Sequence, residues 1–418
     1  MKIFIIAYAC EPGKGSEPGL GWNISGEVAR RHDVTVLTRA NNKKIIESYL
    51  SNNPDAPQTK IHFLYLDKGG LWRWLKKRIP FGDQLYFSSW LKSVAIKYAD
   101  EWQGFDIVHQ LTFCPFFVKP WGADYIDRYV WGPIGGGGGV NSRFPKGFKI
   151  EGLGYRFREW LYRVLNIIVY SPFAWRFNAI RRKVAAVTFK AKSFSDNFPV
   201  EPNQISAVVQ ETGYAGEFPT RSYVDAKHPL KIVAVGRMIP HKGFEYAIKG
   251  FQKFVTCGGE GELHILGDGP LHQKLKFLSS STTSVSNFKI IFHGNVLNTE
   301  VHTMLDSADI FLHASFIEAA AWSILEAMVH GVPVVCQDRS GMADMVTSEC
   351  GTKVLASSEQ ALVDAFANAL LGYYENPELV RIHGVAGQNR VRENYTWLRS
   401  GDLMDAVYHR VRDKFIRN

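Results

Sequence analysis

The most constraining stretch of this sequence lies between positions 309 and 336. An apolar strand, Asp309 to His313, runs into a short loop. A helix follows from about Ser323 to His330, then Gly331, then a second apolar strand, Val332 to Cys336. Two strands joined through one helix pair in parallel with a right-handed crossover. Both strands are almost wholly apolar, so helices must cover the sheet on both faces. Two carboxylates sit at the centre of the stretch, Glu318 in the loop and Glu326 in the first turn of the helix. A strand-to-helix turn lies on the edge where open α/β sheets bind ligands, and a helix N-terminus favours anions. Ser323-x-x-Glu326 also fits a capping box, in which Glu326 only closes the helix start.

The same pattern recurs upstream. Lys231 to Val235 is a strand, Gly236-Arg237 to Lys242-Gly243 a turn, and Phe244 to Phe254 a helix. Glu262 to Leu266 is a strand ending in Gly267-Asp268-Gly269-Pro270, and Phe288 to Phe292 one followed by Gly294-Asn295. In a parallel sheet all these turns lie on one edge, so Arg237, Lys242, Gly267, Asp268, Asn295, Glu318 and Glu326 converge there. Arginine and lysine beside glycine turns and a helix start suit a diphosphate. Carboxylates beside them suit sugar or ribose hydroxyls.

The first half opens in the same way. Lys2 to Cys10 reads as a strand covered on both faces. A glycine loop with Gly13, Gly15, Gly19 and Gly21 follows, then a helix from about Trp22 to Arg31 and a strand from Asp33 to Thr38. The loop lacks the dinucleotide spacing, and Thr38-Arg39 stands where an NAD ribose wants an acid, so it reads as a phosphate- or sugar-approaching loop. Phe105 to Gln110 is a strand ending at His109, either a ligand-edge histidine or a hydrogen-bonded structural one. Gly135 to Gly139 is a run of glycines, either a ligand-approaching loop or a plain linker. Glu211 to Pro229 is a polar linker, and the tail from Trp397 is helical. The expected division is 1–215, 216–395 and a terminal helix over 396–418.

Charge adds one feature. The chain of 418 residues carries a formal charge of +9, and the segment from Arg143 to Lys192 holds essentially all of it, with 12 Lys and Arg against two acids. That segment, notably 155–183, and an earlier one, 71–97, interleave basic residues with Trp, Phe and Leu. Such stretches suit an anionic bilayer surface or ordinary amphipathic helices with snorkelling cations. Nucleic acid ranks well below, since no binding motif accompanies them. Five cysteines in no repeated spacing give neither a disulfide framework nor a zinc pattern. The amino terminus reads as a strand and not as a signal peptide. The expected location is cytoplasmic, peripheral on the inner face of the membrane.

Taken together these motifs resemble the retaining glycosyltransferases of family 4. Glu318 to Glu326 stands as the family's E-x7-E, Gly236-Arg237 to Lys242-Gly243 as its GR-x4-KG turn, and Gly267 to Pro270 as its GxGP turn. Trp131 to Gly137 resembles a branch found in surface-polysaccharide clusters. The resemblance implies the GT-B architecture: two Rossmann-like parallel-sheet domains facing a central cleft, with the terminal helix packing back on the first.

It also implies roles. Arg237 and Lys242 hold the diphosphate, helped by Ser323, Ile324 and the helix start. Glu326 binds ribose, Glu318 the donor sugar, and His109 touches sugar or acceptor hydroxyls. Gly13, Gly15, Gly236, Gly267, Asp268 and Asn295 line the nucleotide-sugar path. The donor is a UDP- or GDP-sugar, the acceptor a glycan or lipid-linked glycan; no metal or other cofactor is expected, there being no Asp-x-Asp pair. Ala319 to Trp322 departs from the family's habit of glycine or phenylalanine between the glutamates. Two other readings fit the same architecture: an enzyme that modifies the sugar nucleotide itself, such as a 2-epimerase, and a non-catalytic nucleotide-sugar binder.

Overall fold

The computed structural model describes residues 1–69, 78, 82–135, 156–157, 160–161, 163–164, 167, 175–196, 198–223, 228–280 and 288–416. Most of the glycine run and most of the basic-aromatic segments 71–97 and 155–183 lie outside these residues or are described only in part. The chain forms two compact units, one from the described residues of 1–140, 164–213 and 397–418, the other from those of 141–163 and 214–396.

Among the described residues, the first unit has a seven-stranded sheet: β1 (Lys2–Ile6), β2 (Asp33–Thr38), β3 (His62–Tyr65), β4 (Ile107–Gln110), β5 (Tyr129–Ile134), β6 (Ala186–Phe189) and β7 (Ile205–Val208). Their order is β3-β2-β1-β4-β5-β6-β7, and each pair is parallel. Ile5 pairs with Val36 on one side and His109 on the other. Ile3 to Ile6, Ile107, Val108 and Val130 are buried, each burial favouring the fold by about 1.5–3 kcal/mol.

The helix after β1 spans Ser16–Ala29 with Gly15 as its N-cap. It starts six residues before the sequence suggests, because Gly19 and Gly21 are helical. The terminal helix Trp397–Ile416 belongs to this unit. Its buried face, Trp397, Gly401, Met404, Tyr408 and Val411, repeats at helical spacing. A Cβ on Gly401 would lie 2.6 Å from Glu27 Cβ, so the two helices cross closely there. Arg31 and His32 pair with Asp402 and Asp405 of the terminal helix, His32 Nε2 at 2.7 Å from Asp405.

The second unit holds β8 (Leu230–Val235), β9 (Gly261–Leu266), β10 (Phe288–Gly294), β11 (Ile310–His313), β12 (Val334–Gln337) and β13 (Gly351–Val354). They form a parallel sheet in the order β10-β9-β8-β11-β12-β13. Strand order reverses between β8 and β11, and this switch point is where such sheets open a crevice at their carboxyl ends. The stretch expected as a polar linker is tied into this unit. Tyr214 N–H donates to Tyr395 O at 2.9 Å, and Arg221 donates to Leu305 O at 3.1 Å and also to Ala308 O. Guanidinium donors satisfy carbonyls left over at a helix end.

The described part of segment 71–97 is not a membrane face in its aromatics. Phe87 and Trp90 lie on the helix Gly82–Trp102 and are buried, and Trp90 Nε1 donates to Leu66 O at 2.7 Å. Arg181 is buried too, its guanidinium 5.0 Å from the Phe198 ring. Phe157, Trp160 and Ile167 are exposed.

Candidate functional site

The ends of β8, β9 and β10 meet as expected. A cavity of about 350 Å³ is lined by Gly236 and Arg237, Gly267 and Asp268, and Asn295, with Val235, Leu266, Val296 and Val301 as its apolar wall. Glycine is required where these turns touch. Gly267 has φ +121, and a Cβ there would fall 2.1 Å from Gly236 O. Gly243, φ +68, is the left-handed N-cap of the helix Phe244–Thr256, and its Cβ would meet Ala314 O at 2.1 Å. The backbone of the first turn thereby packs against the end of β11. Arg237 is exposed. Asp268 Oδ1 accepts from Gly269 N–H at 2.7 Å and from His272 Nδ1 at 2.9 Å. These bonds, the backbone one foremost, hold its carboxyl below the usual range.

Lys242 and Glu318 form an ion pair across the switch point. Ser315 Oγ donates to Glu318 Oε1 at 3.1 Å, and His313 Nε2 lies 3.8 Å from the same oxygen. His313 is buried, and burial together with the Lys242 charge pushes its pKa down to about 3, so the ring is neutral. The loop carrying Glu318 is fixed from behind. Gln337 Nε2 donates to Ala314 O and Ser315 O at 2.8 and 3.0 Å. Ser340 Oγ and Gly341 N–H both donate to Glu318 O, at 2.7 and 2.8 Å. Ala320 and Ala321 are buried, so this loop packs inward where the sequence departs from its family's habit.

The helix after this loop runs Trp322–Val329 with Ala321 as N-cap and no side-chain cap bond. The capping-box reading of Ser323 and Glu326 therefore fails: an N-cap needs extended backbone, and Ser323 is already inside the helix. Ile324 follows Ser323 in the first turn of this helix. Its side chain is buried in the core, and its N–H donates to Ala321 O at 3.0 Å. Glu326 is largely buried, which pushes its pKa up to about 7 against the lowering pull of the Asn298 amide. Neither Glu326 nor the Lys242–Glu318 pair lines the cavity.

His109 is the clearest correction. It is fully buried in the first unit, with Nδ1 2.7 Å from the Tyr408 hydroxyl and Nε2 2.8 Å from Gly132 O. A carbonyl only accepts, so Nε2 carries the proton and Nδ1 accepts from Tyr408. Burial drives its pKa down to about 4. A neutral ring with both nitrogens engaged is the hydrogen-bonded structural histidine of the two readings the sequence leaves open.

Gly13, φ +66, and Gly15 stand between β1 and the first helix. Beside them lies a cluster that the sequence reading passed over. Lys190 is buried between Glu17 and Glu211. Burial alone pushes the Lys190 pKa down, but the two carboxylates outweigh it and hold it up. Glu17 Oε2 also accepts from Phe113 N–H at 2.9 Å, where Phe113 has φ +54.

Residues 229–376 match the family model described as Glycosyl transferases group 1. That stretch is similar to the group 1 glycosyl transferases. Protein CapJ of Staphylococcus aureus is 23% identical over 215 residues, covering 50% of this chain and 54% of that protein. The putative colanic acid biosynthesis glycosyltransferase WcaL of Salmonella typhimurium is 30% identical over 157 residues, 36% of this chain and 38% of that protein. The chain thus spans about half, or less, of the length of these curated relatives. HepE of Anabaena, solved in complex with UDP and glucose, superposes with a TM-score of 0.59 at 15% identity, over 98% of this chain and 100% of its own. At that identity the likeness shows the fold alone, and the fold is GT-B: two Rossmann-like units, of which the second carries the stretch that matches the group 1 model. The cavity at β8, β9 and β10 lies wholly within that stretch.

Proposed function

We propose that this protein is a retaining glycosyltransferase of family 4, moving a hexose-type sugar from a nucleotide-sugar donor to a glycan or lipid-linked acceptor in bacterial surface-polysaccharide synthesis. The observation that carries the reading is the grouping of Gly236, Arg237, Gly267, Asp268 and Asn295 around one cavity beside the Lys242–Glu318 pair. Arg237, exposed at the cavity, and Lys242 offset the charge of a diphosphate, including that which grows on the leaving group. Lys242 is held in place by Glu318 until a phosphate competes for it. Glu318 then receives the donor sugar's hydroxyls, and Glu326 those of ribose. Arg237 and Lys242 supply the positive charge, so the reading needs no metal ion. Same-face attack assisted by the leaving phosphate needs no protein nucleophile.

Homologues named for colanic acid and amylovoran biosynthesis support the polysaccharide setting, and neighbours solved with UDP support a nucleotide donor. A place on the cytoplasmic membrane face rests on the basic-aromatic residues around Arg156, Phe157 and Trp160. Among the described residues no helix is long and apolar enough to cross a membrane. The test is a thermal-shift panel of UDP- and GDP-sugars followed by transfer assays with lipid-linked glycan acceptors. A nucleotide sugar that stabilises the protein and is consumed only with acceptor upholds the reading. Consumption to a changed sugar nucleotide without acceptor favours the modifying enzyme instead, and stabilisation with no turnover favours the non-catalytic binder.

A further inference from the structure

Behind Glu326 runs a chain of side chains that no role above uses. Asn298, His302 and Asp306 stand four residues apart on the helix Asn298–Asp306, and Glu326 and His330 stand four apart on the sequence segment beside it. Such spacing puts each set on one helical face. Asn298 hydrogen-bonds Glu326. Its Nδ2 also lies 3.4 Å from His302 Nε2. His302 Nδ1 lies 2.8 Å from His330 Nε2, and His330 Nδ1 lies 2.6 Å from Asp306 Oδ1. We propose that Asn298 is a positioning residue for Glu326, and that the His302–His330–Asp306 chain dictates which way the Asn298 amide faces. The inference rests on the reading of Glu326 as the ribose-binding carboxylate.

The direction of the chain follows from donors and acceptors. The Asp306 carboxylate only accepts, so His330 Nδ1 carries a proton and its Nε2 accepts. His302 Nδ1 must then donate, which leaves His302 Nε2 as an acceptor that needs an N–H. The Asn298 amide nitrogen supplies it and spends its second proton on Glu326. A flipped amide would set its oxygen against a ring lone pair and against the carboxylate at once. The exposed Asp306 thus fixes an amide three hydrogen bonds of the network away.

An added proton reverses this order. If the His302–His330 pair gains one, a ring N–H must point at Asn298, the amide must turn to accept it, and the donor leaves Glu326. The groups facing the pair are Glu326 and Asp306 within the chain, and Arg221 and Tyr223 from the stretch before β8. Arg221 and Tyr223 bond the carbonyls of Leu305, Ala308, His330 and Gly331. From the helix Glu378–Asn394, Gln388 donates to Val329 O. Burial, the first of its influences, lowers the His302 pKa, in keeping with a ring that holds one proton.

The experiment reads Glu326 directly. Carboxyl-labelled glutamate is titrated by carbon NMR in the full chain, with E326Q identifying the resonance. N298A should move the Glu326 midpoint upward by about one unit, the size of one charge-assisted hydrogen bond, and N298D should move it further. D306N should move it in the same direction by less. UDP affinity at neutral pH should fall about fivefold in N298A and recover at pH about 8.5, because the loss is one of ionisation; a merely structural loss would persist. Identical Glu326 midpoints in wild type, N298A and N298D overturn the proposal, and N298D alone suffices if N298A does not fold. If the midpoints shift but wild type binds neither UDP nor GDP, the donor-site reading of the protein falls and the positioning of Glu326 stands.

Discussion

The Tyr408 hydroxyl donates to His109 Nδ1 at 2.7 Å, joining the terminal helix to the end of β4. Both residues are fully buried. Removing the hydroxyl leaves a buried ring nitrogen without its donor, which costs about 1–3 kcal/mol. Tyr408→Phe should lower the urea midpoint of the first unit accordingly and leave nucleotide binding intact. An unchanged midpoint would show that the pair is dispensable.

Lys190 sits between Glu17 and Glu211 with almost no exposure. Lys190→Met strands two carboxylates in a poorly solvated site, a loss of about 3–5 kcal/mol when one partner of a buried pair is removed. The change should also free Phe113, whose N–H depends on Glu17. Proteolysis near Phe113 would be faster in the variant; equal cleavage rates would count against the linkage.

Arg237→Ala and Lys242→Ala should each weaken UDP binding by about tenfold or more, since a hydrogen bond to a charged group is worth about 1.5–3 kcal/mol. Lys242→Ala should additionally loosen Glu318, which loses its ion-pair partner, so transfer falls further than binding. Calorimetry and a transfer assay on the same preparations separate the two effects. Wild-type turnover in both variants would dismiss this site.

The raised pKa of Glu326, about 7, has a signed consequence for stability. A carboxyl ordinarily titrates near 4.3 when unfolded. Between that value and 7 the folded state binds the extra proton, so this group's contribution falls as pH rises, by about 3 kcal/mol across the window. His313, neutral and depressed to about 3, acts in the opposite sense at acid pH. The difference between variant and wild type isolates Glu326: Glu326→Gln should gain stability relative to wild type from pH 5 to pH 7.5. A constant difference in melting temperature over that range would be incompatible with a buried, protonatable Glu326.

Phe157 and Trp160 are both 57% exposed and stack with ring centroids 5.7 Å apart. Co-sedimentation with anionic vesicles should fall several-fold in Trp160→Ser, as expected for loss of an interfacial aromatic. Equal sedimentation of variant and wild type would remove the membrane from the proposed function.

Much of the second unit was legible because its turns are chemically forced. Only glycine tolerates the conformations at Gly243 and Gly267, so those residues mark the strand ends that carry Lys242 and Asp268. The repeated strand-turn-helix pattern did the rest. The helix start at Ser16 was missed, since Gly15 offers no side-chain acceptor and Gly19 and Gly21 read as loop. His109 was misplaced because burial by a helix some three hundred positions later is not a local property. The Glu17–Lys190–Glu211 cluster was hidden for the same reason. Asn298, His302 and Asp306 did leave a trace, a four-residue period on one helix matched by Glu326 and His330 on the next.

The terminal helix gives the order of synthesis a physical meaning. Every residue of the second unit precedes the helix Trp397–Ile416, so a ribosome completes that unit while the helix is still to be made. During that interval the first unit lacks the cover over His32 and His109, and its face toward Tyr408 and Met404 is open to water or to a chaperone. Domains emerging from synthesis ordinarily fold from the N-terminus onward. Here the half that appears first is expected to be finished last, and pulse-labelled nascent chains should show the later half resisting protease before the earlier one does.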